Sequence, residues 1–153
     1  MTLTLLEGAI DALNTYLTAN IMAKVADLNS RYSDDMPDIK IWYLGNTPTA
    51  EPEYPTVVIQ GIGMLPKAQR ALSLQMQNEV NLIVFVGDDD VEVRFRRLCR
   101  YALGLIELCN AGEGSMGYHV YFTGAITVTD TMDTQPFLQG IIIPVILEQI
   151  EDF

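Results

Sequence analysis

LSLQMQNEVNLIVFVGDDD, residues 72–90, decides the fold. From 72 to 86 the even positions Leu72, Leu74, Met76, Val80, Leu82, Val84 and Val86 are apolar. The odd positions Ser73, Gln75, Gln77, Glu79 and Asn81 are polar, the period-2 signature of a half-buried strand. At Ile83 and Phe85 the second face also turns apolar, so that end is expected to be buried on both sides. Asn78 interrupts the apolar row and marks an expected bulge or bend. The Asp88-Asp89-Asp90 run then caps a predicted helix over 91–111, whose apolar stripe reads Phe95, Leu98, Cys99, Ala102, Leu105, Ile106 and Cys109.

Upstream, Leu6, Ile10, Leu13, Leu17, Ile21, Val25 and Leu28 repeat at three and four residues and predict a helix over 3–28. Thr2 or Thr4 is its expected cap. A single lysine on its polar face fits a helix that covers a sheet better than one lying on a membrane. Residues 31–38 read as a solvated acidic turn, and their spacing matches no calcium loop. A short strand over 39–44 follows, with Trp42 on the face opposite Ile39, Ile41 and Tyr43 and a candidate interface residue. After a proline-rich loop over 45–55, a second strand begins at Thr56 and reverses near residues 65–70 into the long strand. Fifteen strand residues span about 50 Å, against roughly 40 Å for a compact chain of this length. The hairpin is therefore expected to protrude, carrying Lys67 and Arg70 at its tip. The glycine-rich 110–117 segment reads as a helix stop and turn, since it lacks the phosphate-loop pattern. Strands are predicted over 118–129 and 137–147, the latter at an edge or bulged because Pro144 lacks an N–H.

These elements predict one α+β domain: a mainly antiparallel sheet with a long protruding β-hairpin and two helices packed on one face. Twenty acidic residues against nine basic give a net charge of −11, the wrong sign for gripping phosphates. Charged residues make up only 19%, fewer than a solitary soluble protein usually spreads over its surface, which points to surface covered by other subunits. Four of the nine basic residues, Arg94, Arg96, Arg97 and Arg100, fall on one and a half turns of the second helix and are expected to pair with carboxylates. A single histidine, His119, leaves no His-based catalytic pair and no multi-His metal site within one copy. Cys99 and Cys109 lie ~15 Å apart on one helix, too far to bridge, and are expected to be buried free thiols of a reducing cytoplasm. No secretory signal and no membrane span are expected. No catalytic site, cofactor or metal site is predicted.

The order helix, strand, long hairpin, helix, two strands resembles that of tail terminator (tail completion or neck) proteins of long-tailed bacteriophages. The resemblance is carried by the 39–44 strand, the proline-bounded Pro55-Thr-Val-Val-Ile strand, the 79–86 strand entering the 91–111 helix, and the closing 137–150 strand. It implies a non-enzymatic virion protein, assembled in the host cytoplasm into a homo-oligomeric ring, typically a hexamer. Such a ring ends tube polymerisation and joins the tail to the head connector, with tail-tube and connector proteins as partners and DNA passing through the lumen without specific binding. Lys67, Arg70, Arg94, Arg97 and Arg100 become candidate interface residues, although an arginine cluster on the second helix departs from the family pattern. The alternatives are another neck or tail-tube subunit, or a small-ligand-binding or enzymatic α+β domain.

Overall fold

The computed structural model describes residues 5–45, 53–70, 73–130 and 137–152. In chain order the elements are α1 (Leu6–Tyr32), β1 (Ile41–Leu44), β2 (Thr56–Arg70), β3 (Ser73–Gly87), α2 (Val91–Ala111), a single turn α3 (Glu113–Met116), β4 (His119–Phe122), β5 (Thr127–Val128) and β6 (Leu138–Asp152). They form an α+β fold around one mixed, mostly antiparallel sheet of six strands in the order β1-β2-β3-β6-β4, with β5 also on β6. Among the described residues only the β1–β2 pair is parallel.

β3 is the axis of the sheet. It pairs antiparallel with β2 from Phe85 to Ser73 and with β6 from Gly87 to Ser73. The period-2 pattern of the sequence therefore becomes two chemically distinct faces. Val57 and Ile59 of β2, Val80, Leu82, Val84 and Val86 of β3, and Ile141, Ile143, Val145 and Leu147 of β6 form one apolar face against the helices. α1 contributes Ala9, Leu13, Leu17, Ile21, Val25 and Leu28 to that core, and each fully buried leucine contributes roughly 1.5–3 kcal/mol. On the second face Val58 and Ile83 are buried, while Phe85 is half-buried over Gly140, its partner across the strands. A Cβ at Gly140 would lie 2.9 Å from the Phe85 ring, so the ring occupies the space a side chain would need.

Several expectations are corrected. β2 and β3 do not make a free-standing two-stranded arm, because β6 runs beside β3 along its whole length; two strands alone would be marginal in water. β6 is accordingly flanked by strands on both sides at Ile141, Ile142 and Val145–Glu148 rather than being an edge there. Pro144 is accommodated at the gap between β4 and β5, and its carbonyl accepts from Thr123 N at 3.3 Å. In a strand one residue's N–H and C=O point the same way, so the missing donor faces that gap. The predicted single 118–129 strand is split in two by a turn with Gly124 at positive φ. The irregularity expected at Asn78 lies across the ladder, between Gly61 and Gly63 of β2. Asn78 itself is fully buried and donates from Nδ2 to the Leu147 carbonyl at 3.1 Å.

α1 starts with Leu5 as N-cap, which makes no side-chain cap hydrogen bond; the expected caps Thr2 and Thr4 lie outside the described residues. Its end lies about a turn beyond the predicted one, at Tyr32, with Ser33 as C-cap in the left-handed region. There Asn29 closes the turn by donating to Met36 O and accepting from Met36 N. On α2, Asp90 caps as expected, accepting from Glu92 N and Val93 N. The predicted stripe is rotated, however. Arg94, Leu98, Tyr101, Ala102, Leu105, Leu108 and Cys109 are buried, whereas Phe95 and Cys99 are exposed. The glycine-rich segment contains α3 rather than turn alone.

Two glycines set how closely the helices meet. A Cβ at Gly104 would lie 2.8 Å from Leu28 Cδ1, and one at Gly112 would lie 2.3 Å from the Tyr16 ring. Gly114, two residues further on, has nothing within 4 Å of that position. Gly112→Ala is expected to lower stability by about 1–3 kcal/mol by forcing Tyr16 aside. Gly114→Ala is expected to be close to neutral, and urea denaturation of the two variants side by side checks the contrast.

Candidate functional site

The arginines of α2 are held within the fold. Arg97 donates to Asp34 and Asp35, each at 3.0 Å, and Arg100 donates to Asp34 at 2.7 Å while its guanidinium stacks 4.5 Å from the Tyr32 ring centroid. Asp34 is only 14% exposed at its side chain, against 98% for Asp35. Burial opposes its charge, but hydrogen bonds from Arg97, from the Asp35 amide and from Arg100 prevail and hold its carboxyl below the usual range. The acidic turn is thus not simply solvated. Asp34 ties the end of α1 to the middle of α2. Arg94 is buried and donates to Gln139 Oε1 and to the Asp88 carbonyl, each at 3.2 Å, linking α2 to β6. Arg96 pairs with Glu92 one turn earlier on the exposed side.

A second network was not visible in the sequence. Glu107 on α2 accepts from Lys24 and Arg31 of α1, and Asp27 shares both cations. The Arg31 hydrogen bond is the main reason the Glu107 carboxyl is held at about 2, with Lys24 adding to it. Helical spacing places Lys24, Asp27 and Arg31 along one side of α1, but only the helix crossing reveals that this side faces Glu107.

The other candidate residues lie elsewhere. Trp42 is half-buried against the core, on the helix side of the sheet beside its partner Val57. Lys67 is exposed on β2 opposite Gln75. Arg70 ends β2 opposite Ser73, and its side chain lies outside the described residues. Gly87 and Gln75 mark opposite ends of β3, about 40 Å apart, so Lys67 and the α2 arginines do not share one surface.

What the fold does expose is apolar surface and strand edge. β1 covers β2 only from Thr56 to Ile59, and among the described residues no strand pairs with that edge from Gln60 to Arg70. Along it Ile62, Met64 and Leu65 are 52%, 46% and 45% exposed. On α2 a second exposed row, Val91, Phe95 and Cys99, repeats every four residues. Beside it lies an open depression of about 410 Å³ lined by Tyr32, Phe95 and Leu103. Another, of about 460 Å³, lies between α1 and α3 and includes Tyr16 and Met116.

His119 Nδ1 lies 2.7 Å from Glu113 Oε1. Burial pushes the Cys109 thiol up to about 12, which keeps it protonated. Burial likewise raises the Tyr101 hydroxyl, which donates to the Pro37 carbonyl. Among the described residues no group of three His, Cys, Asp or Glu side chains is placed to hold a metal ion, and no helix is long and apolar enough to cross a membrane. Comparison of the sequence with protein-family models and with curated protein sequences finds no match.

Two measurements test the ionic ties. Asp34→Asn is expected to destabilise by about 1–3 kcal/mol, because the carboxylate charge is lost and one of the two oxygens that Arg97 and Arg100 share becomes an NH2 facing a guanidinium at a largely buried position. Chemical denaturation checks it. Glu107 titrates lower folded than unfolded, so its contribution is complete above the ordinary carboxylate range and is lost as pH falls from about 5 towards 2. The urea midpoint is expected to fall across that window, and Glu107→Gln is expected to flatten the part of the fall that this residue causes.

Proposed function

We propose that this chain is a structural subunit of the neck of a long-tailed bacteriophage, a tail terminator. It assembles into a homo-oligomeric ring, a hexamer by resemblance, at the head-proximal end of the tail. One face of the ring caps the last ring of the tail tube and ends its polymerisation, and the other receives the head connector. DNA passes through the lumen past acidic walls that do not grip it, in keeping with a net charge of −11.

The observation that carries the assembly reading is the open edge of β2, eleven residues long with three large apolar side chains exposed along it. A long apolar edge left unpaired invites pairing with another chain and is normally blunted or covered. The phage setting rests on the resemblance in the order and spacing of elements. The exposed Val91, Phe95 and Cys99 row adds a second surface suited to a neighbour. An enzymatic reading draws no comparable support, since the depressions are open and the one histidine is paired with Glu113.

Mass measured by light scattering over a concentration series tests the reading. A closed ring, or a monomer–ring equilibrium, is the expected result. Long polymers would make the chain a tube subunit instead, and a strict monomer at every concentration would overturn the ring. Salt gives a further check on the same sample. Copies this acidic repel one another, and screening shortens that repulsion from about 30 Å at 0.01 M to about 8 Å at 0.15 M. Ring formation is therefore expected to strengthen with added salt; weakening would mean that ion pairs between copies hold the ring.

A further inference from the structure

The sheet has two open edges, and the strand registers show where each lies relative to the other. Gly61 of β2 pairs with Val80, Val80 with Val145, and Val145 with Phe122 of β4. In the same way Gly63 leads through Glu79 and Ile146 to Tyr121, Met64 through Asn78 and Leu147 to Val120, and Leu65 through Gln77 and Glu148 to His119. Residues 61–65 of β2, within the stretch left uncovered by β1, and the whole of β4 therefore stand at one level on opposite sides of the sheet. Both edges are apolar there: Tyr121 and Phe122, 48% and 39% exposed, lie on the edge opposite the exposed Ile62, Met64 and Leu65. Among the described residues no strand pairs with the outer side of β4.

We infer that β2 of one copy, over residues 61–65, pairs with β4 of the next copy, over residues 119–122, so that the sheet continues from subunit to subunit around the ring. This rests on the ring reading above and names the lateral contact. Strand direction allows it. β2 and β6 both run antiparallel to β3, and β4 runs antiparallel to β6, so an incoming β2 in the same sheet orientation meets β4 antiparallel. The lengths also match. β4 is four residues long, and residues 61–65 of β2 offer four ladder positions, because the irregularity between Gly61 and Gly63 leaves Ile62 out of register; Pro66, which lacks a donor, follows directly. Lys67, two residues beyond Leu65, would come level with the chain entering β4, where Glu113 is held beside His119. The two surfaces are different, so the contact is head-to-tail and builds a closed ring when the rotation per copy closes.

Two edge-blocked variants test it. Ile62→Lys with Leu65→Lys blocks β2, and Tyr121→Lys with Phe122→Lys blocks β4; lysine on an edge opposes pairing. Each variant alone is expected to raise the concentration midpoint of ring formation at least about tenfold. Mixed in equal amounts, they are expected to form a discrete heterodimer, because one retains its β4 edge and the other its β2 edge. Rings persisting in either variant, self-dimerisation of the β4-blocked variant through its β2 edge, or no association in the mixture would each overturn the edge pairing. Circular dichroism confirms folding. Should a variant fail to fold, hydrogen exchange on the native chain decides. Amides in 61–65 and 119–122 are expected to exchange at least about tenfold more slowly in the ring than in the monomer. A ring that leaves those amides unprotected overturns the edge pairing alone, whereas a native chain that never forms a ring overturns the ring reading with it.

Discussion

The pairing of β3 with a fifteen-residue neighbour on each side is the constraint from which the rest follows. A strand whose apolar residues alternate cannot slip by one position without exchanging its faces. Here β2 and β6 both hold the register, and Val57, Val84 and Ile141 fall in one cross-strand row on the helix side. That row tells α1 and α2 which face to cover. It also decides where the sheet ends, because β1, β4 and β5 are too short to finish what the three long strands begin. The exposed edge is a consequence of unequal strand lengths.

Charge is distributed to the same effect. Nine basic residues cannot neutralise twenty acidic ones, and the fold commits several of the nine to internal ties. Arg97 and Arg100 meet Asp34, Lys24 and Arg31 meet Glu107, and Arg94 joins α2 to β6. Exposed ion pairs contribute little each, so these ties matter mainly where burial is substantial, as at Asp34 and Arg94. Their second consequence concerns association. Cations held in internal pairs are poorly available to bridge copies, so on the ring reading contact between such acidic surfaces rests chiefly on backbone hydrogen bonds and apolar side chains.

Where a signal was local, the sequence carried it. The α+β class, the period-2 face of β3, the Asp90 cap and the core row of α1 were all legible, because each depends on spacing within one element. The α2 stripe was misread because Phe95 and Cys99 fit a helical period as well as Tyr101 and Leu108 do. What sets the rotation is the sheet beneath, together with Gln139 and Asp88, which give the buried Arg94 its partners. Pro144 was read as an edge signal, yet its missing donor is satisfied equally by a gap in the neighbouring strand. Asp34 was legible as a turn residue but not as an anchor, since its partners stand more than sixty residues away. The level match of β2 and β4 passes through two other strands and is invisible in any single stretch of sequence.

On the ring reading, lateral and axial contacts have different physical requirements, and this separates a terminator from a tube subunit. Lateral closure needs two unlike edges at one level, which the backbone supplies without any help from charge. Axial stacking needs ring faces that tolerate their own kind, and every copy carries a net charge of −11. Repulsion between like-charged rings grows with the number of copies facing each other, while the strand pairs between neighbours within a ring stay the same. On that reading, an uncompensated acidic surface disfavours the stacking of identical rings. Further growth would require a partner ring that brings the opposite charge or an apolar face complementary to Val91, Phe95 and Cys99.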